Sequence, residues 1–251
     1  MHIITKQIDS IQDYLGIIEN YSGLAFYRGH ADSKEWHLKS SLARLVDRIG
    51  IGLLDQYKDW KGLEAYLITK FERRAIPYID NRNLARIDWL ILAQHYGLPT
   101  KLLDWTENPL VALFFALSDS RNKEEDVESA VWIIKPKLIA VNNIDLNKLD
   151  QIHLFYPSHI DQRVISQKGC FTIEPFPKNN SLIRGIDEHI EDYGDSINSL
   201  IKVTIPKDKE FKMNLLYTLM DLGIDYDFIM PGLEGLTSQI RFDMENFTDR
   251  I

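Results

Sequence analysis

Gln94-His95-Tyr96-Gly97-Leu98-Pro99-Thr100-Lys101-Leu102-Leu103-Asp104-Trp105-Thr106-Glu107-Asn108-Pro109 is the stretch on which the organisation of the chain turns. It separates two apolar helices. The first is predicted over Leu84–Tyr96 and stops at Gly97, a residue suited to the left-handed position after a helix, with Pro99 just beyond. The second begins after Asn108 as N-cap, with Pro109 at the first helical position. Leu110–Leu117 is apolar nearly all round, so this helix is expected at the centre of the molecule. Between the two helices, hydrogen-bonding side chains alternate with apolar ones. That density marks the segment for function more than any single member does. Read alone, Asp104-Trp105-Thr106 before an N-cap is turn chemistry.

Working upstream, Leu53–Phe71 carries Leu53, Tyr57, Trp60, Leu63, Leu67 and Phe71 at helical spacing and reads as one long helix with a core-facing stripe. Leu24–Arg28 reads as a short strand. Ser10–Asn20 reads as an amphipathic helix with Ile11, Tyr14, Leu15 and Ile18 on one face. Downstream the pattern changes to a charged loop at Arg121–Ser129 and a buried strand at Ala130–Ile134. Two strands, Arg163–Ile165 and Cys170–Ile173, are expected to flank a Lys168-Gly169 turn. A strand over Leu200–Ile205, a helix over Lys207–Leu222 closed by Gly223, and a final helix over Leu233–Asn246 complete the reading. Lys178–Ser196 is polar and has the composition of a linker. The apolar strand after it needs a sheet to join, so the segment is expected to be an internal loop or lid. The whole, residues 1–251, reads as a single α+β domain, with a helical N-terminal part packed on a mixed, mostly antiparallel sheet.

Composition narrows the function classes. The chain has 251 residues, 45% hydrophobic and 26% charged, enough to bury a core without staples. The only cysteine is Cys170, which excludes an internal disulfide and a cysteine-based zinc site and points to a reducing compartment, the cytoplasm. The first residues lack a basic region followed by an apolar stretch, so no secretory signal is expected. No apolar run approaches the roughly 20 residues that cross a bilayer, so no membrane partner is expected. A net charge of −8 disfavours a broad phosphate-backbone footprint; Arg44, Arg48, Arg73, Arg74, Arg82 and Arg86 read as solvated helix faces before they read as a patch. Seven scattered histidines show no metal spacing, and no phosphate loop, nucleophile elbow or zinc-binding helix motif is present, so no metal is expected.

Three segments carry candidate chemistry. In Phe26-Tyr27-Arg28-Gly29-His30 an arginine sits inside an aromatic strand, where a guanidinium needs an anion. It either anchors a phosphate or carboxylate or pairs structurally with a core aspartate such as Asp104. Gly29 allows a backbone or ligand to approach closely. In the central stretch, His95 falls in a last helical turn, where the dipole favours an imidazolium. In the third, Asp161, Arg163 and Gln167 could face a cleft, although taken on its own the segment reads better as a hairpin with a solvated face.

These segments resemble the FRG domain family, named for a (Phe/Tyr)-Arg-Gly motif and found mainly in bacteria and phages. The resemblance is carried by Tyr27-Arg28-Gly29, by Trp36–Leu42, by Gln94–Thr106, by Pro109–Ala116, by Arg163 with Gln167, Gly169 and Phe171, and by Pro231–Leu236, and it runs from about Tyr21 to Ile240. A more distant similarity is to mono-ADP-ribosyltransferases, in the order of an arginine strand, a Ser/Thr strand before a helix, and an acidic turn before a strand. That similarity implies an ADP-ribosyltransferase-like fold and an NAD-using enzyme that cleaves the nicotinamide–ribose bond, acting as a toxin or phage-defence effector. Arg28, His95, Asp104, Thr106 and Gln167 would be its catalytic residues. Tyr27, Gly29, Tyr96, Thr100, Trp105, Asp161 and Arg163 would contact the ligand. Arg28 would hold the pyrophosphate or a ribose, His95 or Tyr96 the nicotinamide riboside, and a carboxylate from Asp161, Asp104 or Glu174 would stabilise the oxocarbenium-like state. Arg163 stands where the family pattern has its second acidic residue. The alternative is a non-catalytic module binding a nucleotide or phosphorylated small molecule at the same pocket. A nucleic-acid or protein acceptor is conceivable on the enzyme reading alone.

Overall fold

The computed structural model describes residues 2–21, 23–79, 83–118, 127–137, 139–140, 144–146, 148–157 and 162–246. Its elements in chain order are β1 (Ile4–Gln7), α1 (Ile11–Asn20), β2 (Phe26–His30), α2 (Ser41–Ile49), α3 (Gly52–Tyr57), α4 (Trp60–Ala75), α5 (Arg86–His95), β3 (Leu103–Thr106) and α6 (Pro109–Leu117). They continue with β4 (Ser129–Pro136), β5 (Ile139–Ala140), β6 (His153–Phe155), α7 (Gln162–Ser166), β7 (Gly169–Ile173), β8 (Ile197–Ile205), α8 (Lys209–Asp221), α9 (Tyr226–Ile229) and α10 (Leu233–Asn246). The strands form one sheet in the order β1-β8-β4-β2-β3-β7-β6-β5. Only the outermost pairs, β1 with β8 and β5 with β6, are parallel. The fold is α+β on a mixed, mostly antiparallel sheet.

Both faces of the central strands are covered, which explains why β4 lacks a polar side. Val131 and Ile133 face one core, with Tyr14 of α1, Val111–Phe114 of α6, Leu215, Leu216 and Leu219 of α8 and Phe242 of α10. Their neighbours Trp132 and Ile134 face the other core, with Phe26, Leu38, Leu103, Trp105, Ile186 and Ile190. α4 and α5 close the far end of the sheet over Phe155, Phe171 and Ile173. The centrality of α6 has a backbone cause. A Cβ on Gly29 would lie 2.0 Å from the Ala112 carbonyl and 2.6 Å from the Ala116 nitrogen, so β2 rests directly on the helix.

Several expectations are corrected. Leu53–Phe71 is not one helix: Lys58 takes a positive φ of 74°, and Asp59 restarts the chain by accepting from Gly62 N at 2.7 Å. Arg163–Ile165 is helical within α7, not a strand. The first arginine strand begins at Phe26 and extends through His30, two residues later than read. In α1 the buried residues are Tyr14 and Ile17, whereas Leu15 is exposed. Asp104-Trp105-Thr106 is strand, pairing with β7, not turn. The 178–196 segment is no lid: Ile183, Ile186 and Ile190 are buried, and Asp187 accepts from Leu38 N at 2.7 Å and pairs with His37 at 2.8 Å. Most of the expected charged loop at Arg121–Ser129 lies outside the described residues, and Ser129 already opens β4. No helix of the described residues is long and apolar enough to cross a membrane.

Candidate functional site

β2 and β3 are adjacent but barely zipped. They register at Tyr27 with Thr106 alone, whereas β2 registers with β4 from Phe26 to His30 and β3 with β7 from Leu103 to Thr106. The two strands splay past that pair, and a backbone carbonyl that a tight ladder would have satisfied needs another donor. Arg28 supplies it. Its Nη1 donates to the Asp104 carbonyl at 2.7 Å and lies 3.4 Å from Asp104 Oδ2, while its Nε donates to His30 Nε2 at 2.9 Å. Nη2 has no hydrogen-bond partner among the described residues. The Arg28 side chain is 18% exposed; burial lowers its pKa, and Asp104 acts against that shift.

A cleft of about 390 Å³ opens at this split. Arg28, His95, Asp104, Thr106 and Gln167 all line it, as do Tyr27, Gly29, Trp105 and Arg163. Two of the predicted residues, Tyr96 and Thr100, do not line it. Tyr96 is 69% exposed and turns its edge to His95, with ring centres 4.9 Å apart. Thr100 is fully buried behind the wall. Asp161 lies outside the described residues.

The wall is held by a chain of hydrogen bonds. Ser41 Oγ accepts from Thr100 N at 3.0 Å and donates to Thr100 O at 3.2 Å. The Thr100 hydroxyl donates to Gln94 Oε1, which fixes the orientation of that amide, and Gln94 Nε2 donates to Asp104 Oδ1 at 2.6 Å. The Asp104 side chain is nevertheless 57% exposed. On the far side, the Thr106 hydroxyl donates to the Gln167 carbonyl at 2.5 Å and accepts from Asn108 N at 3.0 Å. Gln167 Nε2 donates to the Ile229 carbonyl at 2.9 Å. Arg163 lies 3.8 Å from Glu234. Glu174, offered from sequence as a source of the carboxylate, does not line the cleft; it is half-buried elsewhere and accepts from Tyr193 OH at 2.5 Å.

Two positioning groups were missed from sequence. His30 is 2% exposed; because Nε2 accepts from Arg28, Nδ1 carries the proton and donates to the Trp36 carbonyl at 3.1 Å. Burial first, then the charge of Arg28, holds its pKa well below the ordinary range, so the ring is neutral. The signal was available: residues i and i+2 of a strand share a face. Gln94 stood in the quoted stretch without a role. Cys170 also lines the cleft, and burial pushes its thiol pKa well up, so it is no ready nucleophile. Among the described residues no group of three or more His, Cys, Asp or Glu side chains is placed to hold a metal ion.

What remains able to engage a ligand is a guanidinium with a free nitrogen, an exposed carboxylate beside it, and aromatic walls from Tyr27, Trp36 and Phe115. That set suits an anionic, partly aromatic small molecule. Searches of curated proteins and of solved structures return no match. The Arg163–Phe171 wall of the cleft lies beyond the matched part of the chain. Residues 24–125, which hold β2, the whole Gln94–Thr106 stretch and α6, match the family model of the FRG domain.

Proposed function

We propose that the cleft binds a phosphate-bearing nucleotide, with NAD as the leading ligand, and that Asp104 supports cleavage of its nicotinamide–ribose bond. The observation that carries the binding reading is Arg28, a largely buried side chain whose Nη2 has no hydrogen-bond partner among the described residues. A phosphate there would answer the desolvation that now lowers its pKa. Among the described residues Asp104 is the only carboxylate lining the cleft, and an exposed carboxylate is the group that an oxocarbenium-like state needs nearby. His95, at the C-terminal end of α5, and the aromatic walls would take the base or riboside. In a cell, such chemistry would consume NAD or modify a macromolecule, as a cytoplasmic toxin or phage-defence effector does.

One observation favours binding without turnover. The Thr106 hydroxyl and the Gln167 amide nitrogen, both assigned catalytic roles from sequence, are held by protein partners. The test is incubation of the full chain with NAD, following free nicotinamide by chromatography and thermal unfolding in parallel. Release that disappears in Arg28→Ala and Asp104→Asn supports the enzyme. Stabilisation by NAD that needs Arg28, with no nicotinamide released, leaves a binding module. Neither response in the wild type overturns both.

A further inference from the structure

Asp104 stands between two hollows. Past Gln94 and Asp104 a second cavity of about 200 Å³ is lined also by Ser41, Arg44, Gly97 and Leu98. The exposed Asp104 side chain belongs to both. Arg44 projects from α2, and its Nη1 donates to the Lys39 carbonyl, which holds the side chain in place. No carboxylate pairs with it among the described residues. The charges that act on it are those of the site itself: burial lowers its pKa, Arg28 adds to that, and Asp104 opposes it. Arg28 and Arg44 therefore share one carboxylate, which leaves an excess positive charge at the boundary of the two cavities. This separates Arg44 from the other arginines of the supposed solvated faces, such as Arg86, which has its own partner in Glu72 at 2.7 Å.

We infer that the smaller cavity is a second anion subsite for the same ligand, so that the ligand carries two linked phosphates, one held by Arg28 and one by Arg44. Nucleoside diphosphates and dinucleotide pyrophosphates are the class that fits. The inference rests on the proposed function of the main cleft and deepens it, by giving the second phosphate an arginine and a cavity of its own. Arg44 is an exposed residue and its removal breaks one bond to the Lys39 carbonyl, so Arg44→Gln is expected to fold as the wild type does.

The experiment is titration calorimetry of AMP and ADP into the full chain and into Arg28→Gln, Arg44→Gln and Arg44→Lys. ADP is expected to bind at least about tenfold more tightly than AMP, the size of one charge-assisted contact. Arg44→Gln should erase that difference while moving AMP by less than about twofold, and Arg44→Lys, with the charge but not the planar fork, should restore part of it. The inference is overturned if Arg44→Gln weakens both nucleotides equally or neither. ADP binding that depends on Arg28 but not on Arg44 removes only the second subsite. Failure of the wild type to bind either nucleotide removes the proposed function with it.

Discussion

At the α7 end of the cleft, Thr106 and Gln167 turn their polar atoms onto Asn108, Ile229 and each other, and hold the sheet to the C-terminal helices. At the β2 end, Arg28 and Asp104 are just as firmly positioned, by His30 on one side and by Gln94, Thr100 and Ser41 on the other. Yet they keep a free nitrogen and an exposed carboxylate. The difference lies in what the bonds leave over. A hydroxyl that both donates and accepts has no further donor, whereas a guanidinium has five N–H groups, and three protein contacts do not exhaust it. Residues that look alike in a list of polar cleft residues therefore separate into fasteners and ligand-facing groups once their remaining hydrogen-bond capacity is counted.

The comparison can be broken at several points. The largest effect is expected from Gly29→Val beside Arg28. Its Cβ would meet the Ala112 carbonyl at 2.0 Å, and overpacking against backbone should cost about 3 kcal/mol or more, read as loss of a cooperative denaturant transition. Next, Arg28→Gln should weaken nucleotide binding by about 2–3 kcal/mol while lowering stability by less. A larger loss of stability than of binding would make Arg28 a fastener too. Thr106→Val, matched in shape, should show the reverse. It should lose about 1–2 kcal/mol in urea unfolding, with nucleotide affinity almost unchanged, because two bonds inside the protein go and none to a ligand.

The last effect is one of pH. His30 stays neutral in the folded protein because burial and the charge of Arg28 depress its pKa, whereas in the unfolded chain it titrates near about 6.5. The unfolded state therefore binds more protons below that value. The stabilisation is complete above it and declines as pH falls, by at most about 1.4 kcal/mol per pH unit. His30→Gln should flatten that part of the stability profile between about pH 6.5 and 5. An unchanged slope would mean that the ring is not the neutral acceptor for Arg28.

How much of this was legible depended on how local the cause was. The start of α6 was legible because Asn108 and Pro109 do their work within one turn. Gly97, with φ of 80°, ended α5 for an equally local reason. The break between α3 and α4 was hidden because the apolar stripe runs through it without losing period. Its marks were Asp59 and Gly62, whose Cβ would collide with the Tyr57 carbonyl at 1.9 Å. Arg163–Ile165 has too few residues for periodicity to separate helix from strand. The segments that form the cleft could be named from their residue types. Their division of labour could not, since it depends on partners about 60 residues away, such as Gln167 with Thr106 and with Ile229. Tyr96 and Thr100 were near the cleft in sequence but not in its lining, one outside it and one behind it.

The edge of the sheet carries a different lesson. β1 finds its partner in β8, Ile4 against Ile201 and Gln7 against Thr204. During synthesis at about 5–20 residues per second, the first strand would wait about 10–40 s for its mate to emerge. Until then its unpaired amides, and the apolar surface on β4 meant for β8, are open to other chains, so this protein is expected to depend on chaperones more during translation than after release.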